Sequence, residues 1–309
     1  MERKVSDTFQ PSKEACWQMK QLTVLSGKGG TGKTTITASL AVLAKNVVVA
    51  DCDVDAPDLH MLLHPKVVRT QEFKGSKLAV IDEEKCTKCG LCREKCRFDA
   101  ITEDIKVDPI SCEGCGVCTI ICPVNAVTLT ERISGHAYIS KTKYGFMAHA
   151  ILSPGEANSG KLATLVRQNA KILAEKEHRD LILIDGPPGI GCPVIASVTG
   201  IDAGLLVTEP TLSGIHDLER ALQLLRHFNV TQFVCVNMYD INEENTERIV
   251  SFCRENDIEV VGKIPFNPMV TEAMVNGKPI VEYAPESDVA KEIGNMWKKV
   301  LSALQYKSG

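Results

Sequence analysis

The stretch QLTVLSGKGGTGKTTITASLAVLAK, residues 21–45, constrains the fold more than any other. An apolar run halts at a glycine, a loop of small residues follows, and apolar positions then recur at helical spacing. That order reads as strand, tight loop and helix. Gly27, Gly32, Lys33 and Thr34 satisfy G-x-x-x-x-G-K-[ST], a loop whose backbone N–H groups surround phosphates at a helix N-terminus. The expected nucleotide-binding residues are Gly27, Lys28, Gly29, Gly30, Thr31, Gly32, Lys33, Thr34 and Thr35. Lys33 should reach the β- and γ-phosphates, and the Thr34 hydroxyl should ligate Mg²⁺. The motif needs one lysine, and Lys28 is a second.

Further apolar runs follow at 47–53, 180–189, 203–210, 232–238 and 260–266. Helical patterns fall between several of them, at roughly 159–177, 214–228, 243–256 and 286–304. Continuous apolar strands alternating with helices predict an α/β fold, a parallel sheet with helices on both faces. With 309 residues, 44% of them hydrophobic, the chain can bury a large core. The alternation breaks between about 66 and 150. Residues 76–132 read as an inserted small α+β domain, and 133–152 as strands leading back to the main sheet. The expected organisation is an N-terminal extension over 1–19, a nucleotide-binding domain over 20–75 and 133–309, and the insert over 76–132. Met19 would serve well as a start.

Eight of the 13 cysteines fall between Cys86 and Cys122. The first residues carry no hydrophobic signal region, so clustered cysteines point to metal in a reducing cytoplasm rather than to disulfides. Cys86, Cys89, Cys92 and Cys96 follow C-x₂-C-x₂-C-x₃-C, and Cys112, Cys115, Cys118 and Cys122 repeat it. Two structural zinc sites or a disulfide knot are the competing readings, but zinc usually separates its C-x₂-C pairs by a longer stretch. The doubled run resembles a bacterial ferredoxin that holds two [4Fe–4S] clusters. By that pattern one cluster takes Cys86, Cys89, Cys92 and Cys122, and the other Cys96, Cys112, Cys115 and Cys118. The chain departs from the pattern at Arg97, where proline would follow the fourth cysteine, as Pro123 does in the second half. Cys52, Cys192, Cys235 and Cys253 read as structural.

With these residues in view, KGGTGKTT resembles the deviant Walker motif of MinD/ParA-type P-loop ATPases, the group that includes the nitrogenase iron protein. The resemblance covers about 20–65 and 140–305. It implies that Lys28 crosses a homodimer to the partner's ATP, adding positive charge where phosphoryl transfer develops negative charge. It makes Asp53, in DCDVDAP (51–57), the candidate for orienting the attacking water, and puts Asp51 near the Mg²⁺ shell. Asp185, in LIDGPPGIG (183–191), would hold a metal-bound water in the second switch. Asn237 and Pro265 fall where family members contact the base.

The function these features imply is an ATP-hydrolysing switch, dimeric with ATP, that couples Mg-dependent hydrolysis to electron transfer through two [4Fe–4S] clusters. Its partner would be a redox or cluster-accepting client protein. Metallocluster assembly, or redox-sensing positioning of the MinD/ParA type, are the alternatives. A net charge of −4 argues against a chain built mainly for nucleic acid. No apolar run approaches the ~18 residues that span a bilayer. The C-terminal face of Val289, Ile293, Trp297, Val300 and Leu304 reads as core rather than membrane anchor.

Overall fold

The computed structural model describes residues 19–304. The expected extension ahead of Met19, with Cys16, lies outside the described residues. The strands are β1 (Lys20–Ser26), β2 (Val47–Asp51), β3 (Lys66–Phe73), β4 (Ser76–Ile81), β5 (Val127–Arg132), β6 (Gly135–Thr142), β7 (Gly145–Leu152), β8 (Leu181–Pro188), β9 (Ala203–Thr208), β10 (Thr231–Asn237) and β11 (Glu259–Ile264). The helices are α1 (Lys33–Ala44), α2 (His60–Leu63), α3 (Leu91–Glu94), α4 (Val117–Ile121), α5 (Ser159–Lys176), α6 (Cys192–Val198), α7 (Leu212–His227), α8 (Glu243–Glu255), α9 (Met269–Val275), α10 (Ile280–Tyr283) and α11 (Asp288–Ala303).

Nine strands form one sheet in the order β11-β10-β9-β1-β8-β2-β7-β6-β3. The seven from β11 to β7 run parallel. The expectation of a parallel sheet needs correcting at one edge, where β6 lies antiparallel to both β7 and β3. The turn between β6 and β7 is too short for a crossover, so the strands must reverse. Strand β3 was not expected as part of the sheet. Seven of its eight residues are exposed, so it lacks the apolar signature of a buried strand.

Alternate residues feed two cores. Ile182 and Ile184 point toward α5, α6, α7 and α8, whereas Leu181 and Leu183 point toward α1, α9, α10 and α11. Val289, Ile293, Trp297, Val300 and Leu304 are all buried in the second core, so that face of α11 is core. No helix among the described residues is long and apolar enough to cross a membrane.

Between β3 and β6 the chain builds a separate two-stranded sheet, with β4 antiparallel to β5 from Ser76↔Arg132 to Ile81↔Val127. Two short helices cover it, α3 and α4, each preceded by a glycine at φ near 80°, Gly90 and Gly116. Strand β3 ends, and β6 begins, at the edge of the sheet where the parallel strands have their carboxyl ends. That edge also carries the phosphate loop, Asp51 and Asp185. In open α/β sheets it is the ligand-binding edge.

Candidate functional site: a phosphate cleft and two thiol cavities

Strand β1 is buried along most of its length, and the loop after it is anchored by the helix it starts. Gly32 caps α1 with φ 85°. A Cβ there would stand 2.4 Å from Asn237 Nδ2, so only glycine fits both the left-handed backbone and the neighbour. Asn237 Nδ2 donates to the Thr31 carbonyl at 2.8 Å. Asn237 therefore braces the loop as well as lining the cleft beside it.

The cleft has a volume of about 490 Å³. Gly29 through Thr35 line it, with Asp53, Asp58, Asn237 and Pro265. Sequence reasoning missed Phe266, Asn267 and Met274, which line the same cleft. The signal was there for Phe266, which directly follows Pro265, but not for Met274, which comes from the unexpected helix α9. Gly27 and Lys28 stand outside the lining.

Behind the loop is a buried charge network. Lys33 Nζ lies 2.9 Å from Asp185 Oδ1, and the Thr34 hydroxyl donates to Asp185 Oδ2 at 2.9 Å. The Thr37 hydroxyl lies 2.9 Å from Asp185 Oδ1 and 2.9 Å from the Lys33 carbonyl. Thr37 was not expected from the motif, because its role depends on a strand 148 residues away. Burial alone would lower the Lys33 pKa, but Asp185, with Asp51 and Asp53, holds it above the ordinary lysine value. Lys33 is thus a fixed cation.

Asp51 pairs in register with Asp185 across β2 and β8. One carboxylate oxygen accepts the Asp53 N–H at 3.1 Å, while the other, Oδ2, is buried with no hydrogen-bond partner. Burial and then the Asp185 charge push the Asp51 carboxyl well above its usual range, with Lys33 opposing. An unpartnered buried oxygen is costly, and a cation would satisfy it. Burial also raises Asp53, against the pull of Lys33. Asp53 lies in the cleft wall, half-buried.

Lys28 is tied within its own chain. Its ammonium lies 2.6 Å from Glu209 Oε1, 2.9 Å from Ser213 Oγ and 3.3 Å from Thr211 Oγ1. All three belong to the segment that starts α7. Glu209 as a holder of Lys28 has no signature in the sequence.

The eight clustered thiols border two small cavities on the two-stranded sheet. One is lined by Cys86, Cys89, Cys92 and Cys122, among Ile81, Leu91, Ile105 and Val127. The other is lined by Cys96, Cys112, Cys115 and Cys118, among Ala79, Phe98, Ile101 and Val107, with Cys92 bordering it too. The first cavity thus takes three thiols from the first half of the repeat and Cys122 from the second. The second takes three from the second half and Cys96 from the first, besides Cys92, which borders both. All eight are free cysteines. Backbone N–H groups already donate to two of the sulfurs, Lys88 to Cys86 at 3.4 Å and Ala126 to Cys122 at 3.2 Å. The close approach of the second loop to β4 needs Gly114, at φ 61°, where a Cβ would stand 2.2 Å from the Lys77 carbonyl oxygen. Cys52, Cys235 and Cys253 are buried, and Cys192 is exposed at the start of α6. Among the described residues, no group of three His, Cys, Asp or Glu is arranged to hold a single metal ion. A four-iron cube differs in giving each thiolate its own iron.

Comparison with known proteins bears on this geometry. A sequence profile of the CobQ/CobB/MinD/ParA nucleotide binding domain matches residues 22–280. An uncharacterized protein of Methanocaldococcus jannaschii is 36% identical over 287 residues, 91% of this chain and 96% of that one. An iron-sulfur cluster carrier protein of Aquifex aeolicus is 25% identical over 302 residues, 93% of this chain and 68% of that one. The septum site-determining protein MinD complexed with Mg-ADP, from Pyrococcus horikoshii, superposes with a TM-score of 0.58 at 20% identity, covering 94% of this chain and all of that one. The chain therefore belongs to the CobQ/CobB/MinD/ParA nucleotide-binding family, and as a MinD/ParA-type P-loop protein it is an ATPase.

Proposed function

We propose that this ATPase is a nucleotide-dependent dimeric switch that governs one-electron transfer, through a ferredoxin-like insert over 76–132, to a client protein. One observation carries the reading: a chain with a complete phosphate cleft also gathers eight free thiols around two apolar cavities, with Cys122 and Cys96 exchanged between halves and Cys92 bordering both. That donor set and the apolar lining fit two [4Fe–4S] clusters, held by Cys86, Cys89, Cys92 and Cys122 and by Cys96, Cys112, Cys115 and Cys118. Such clusters, when bound, store and pass single electrons at potentials set by burial and by N–H donors to sulfur.

At the cleft, the N–H groups of 29–34 and Lys33 bind the triphosphate of ATP. Thr34, Asp51 and Asp185 would hold Mg²⁺, and the unpartnered Asp51 oxygen supports that assignment. Asp53, in the cleft wall, orients the attacking water. Lys28, held by Glu209 in the single chain, exchanges that carboxylate for the partner's phosphate when two ATP-bound chains meet. Because fixed positive charge supplies most of the catalysis, hydrolysis then waits on dimerisation.

The test is iron analysis and EPR of the anaerobically purified, dithionite-reduced protein, without nucleotide and with Mg-ATP or Mg-ADP. Eight irons per chain and a signal that depends on nucleotide are the expected results. Stable clusters with identical spectra in every nucleotide state would refute the switch. A second reading, cluster assembly or carriage, is favoured by the similarity to iron-sulfur cluster carrier proteins at 22–25% identity. Rapid transfer of iron and sulfide to an apo-ferredoxin would select it.

A further inference from the structure

The insert is fastened to the ATPase body by more than its two chain crossings. The loop between β7 and α5 packs against the junction. Ser153 N–H donates to the Ser134 carbonyl at 2.9 Å, and Asn158 Nδ2 donates to the Gly75 carbonyl at 2.9 Å. Between them stands Glu156, its side chain only 6% exposed. Glu156 Oε2 accepts the Ser76 hydroxyl at 2.7 Å, and Oε1 pairs with Arg132 Nη2. The same guanidinium, through Nη1, donates to the carbonyl of Pro109, three residues before Cys112. Arg132 therefore spans from a body carboxylate to the loop that forms the second thiol cavity. A forked, planar donor is the side chain suited to holding two acceptors at once.

Glu156 is in turn mechanically close to the nucleotide. Its loop runs directly into α5, where Gly160 lies against Cys192, so close that a Cβ on Gly160 would stand 3.1 Å from Cys192 Cβ. Cys192 begins α6 immediately after the 189–191 turn, which follows the end of β8 three residues beyond Asp185. Arg167 on α5 donates to the carbonyls of Ala196 and Thr199 at 2.8 and 2.7 Å, locking α6 to α5. A shift of the 189–191 turn would thus be passed through α6 to α5, to Glu156 and to Pro109.

We propose that the Glu156–Arg132–Pro109 strap couples the phosphate-side loop to the second thiol cavity, so that nucleotide state alters the surroundings of the group held by Cys96, Cys112, Cys115 and Cys118. The inference rests on the switch reading above and goes beyond it by naming the cavity that responds and the residues that carry the response. Among the described residues the first cavity has no comparable tie: Lys85 pairs with Asp82, and Arg93 with Glu103, all within the insert. Arg132 acts as a positioning residue, through the Pro109 loop.

The test uses the full chain with its iron, without nucleotide, with Mg-ADP and with a Mg-bound non-hydrolysable ATP analogue. Two readouts run in parallel, EPR of the reduced protein and amide hydrogen exchange. In the wild type, exchange over 107–118 should change by about threefold or more with the analogue, and that over 82–92 by clearly less. In Arg132→Gln that response should fall to under about a third of its wild-type size, with iron content and basal ATP hydrolysis retained. If Arg132→Gln loses iron, Glu156→Gln makes the same cut from the body side, where no thiol loop is touched. A strap variant with eight irons and an undiminished response over 107–118 overturns this inference and leaves the switch standing. A wild type whose spectra and exchange ignore nucleotide overturns both. A response confined to 82–92 overturns the strap alone.

Discussion

Around the phosphate loop, charged groups are fixed by one another and by nine strands; around the cysteines, the scaffold is two strands and two helices of four and five residues. The body buries long aliphatic side chains such as Leu22, Leu40, Leu181, Ile182 and Leu205 completely. The buried apolar residues of the insert are Ala79, Cys92, Ala100, Ile101, Ala126 and Val127, three of them alanines. A module of this size lacks the apolar burial to offset its chain entropy and needs staples or metal. On the reading proposed above, the body is stable alone, whereas the insert would owe its order to the clusters its thiols hold.

The largest expected effect follows directly. Removing iron with a chelator under anaerobic, reducing conditions should unfold the insert and leave the body folded and able to bind ATP. Limited trypsin digestion reads this at Lys85, Lys88, Arg93 and Lys95, where cleavage should accelerate by at least about tenfold, because the metal's binding free energy is folding free energy. An insert that stays protected without iron would erase the contrast.

Next comes Lys33→Ala. It removes the cation proposed to meet the phosphates and leaves Asp185 buried without its ion-pair partner. Hydrolysis should fall by about 10²–10³-fold, while iron content stays at its wild-type level. Loss of iron in this variant would show that the two regions depend on each other for folding.

Asp51→Asn probes a cost built into the site. The folded carboxyl titrates above its unfolded value, so its ionisation penalises the folded state, and the penalty sets in as pH rises through the unfolded pKa. The amide escapes it. At neutral pH without Mg²⁺ the variant should be more stable by about 1–3 kcal/mol, while Mg-ATP should stabilise it less than it does the wild type. Urea midpoints measured with and without Mg-ATP decide the matter. A destabilised magnesium-free variant would mean that the Asp51 charge is satisfied.

Much of this was legible because it is local. The phosphate loop, the apolar strands and the two cysteine runs each occupy a few consecutive residues whose spacing dictates the geometry. What stayed hidden was long-range or unpatterned. Strand β3 is exposed on both faces and carries no apolar signature, so the antiparallel edge that supports the insert could not be read. The helices α9 and α10 are short and closely follow prolines, and Met274 was lost with α9. Lys28 was recognisable as a surplus cation, but not the Glu209 that holds it, 181 residues away. Arg132 and Glu156 look like ordinary surface charges until the fold brings them together.

The smallest effect separates the two regions by pH. His149, on β7, is buried against Tyr138, with ring centroids 5.1 Å apart, and its Nε2 lies 2.9 Å from Ser140 Oγ. Burial first, and then the charge of His60, lower its pKa to about 4. Above the unfolded value near 6.5 both states are neutral there and the group contributes no pH dependence. As pH falls below that value, the unfolded chain takes up a proton that the folded chain refuses, so stability is lost progressively until pH reaches about 4. At pH 5 the loss should be about 2 kcal/mol relative to pH 7. The insert contains no histidine, so over this range the body should weaken by this route and the insert should not. Urea unfolding at pH 7 and pH 5, compared between wild type and His149→Phe, isolates the contribution: the variant should lose that share of the pH dependence in the body transition. An equal slope in the two proteins would mean that His149 is hydrated in the folded state, and that the edge of the sheet bearing the insert is looser than its packing implies.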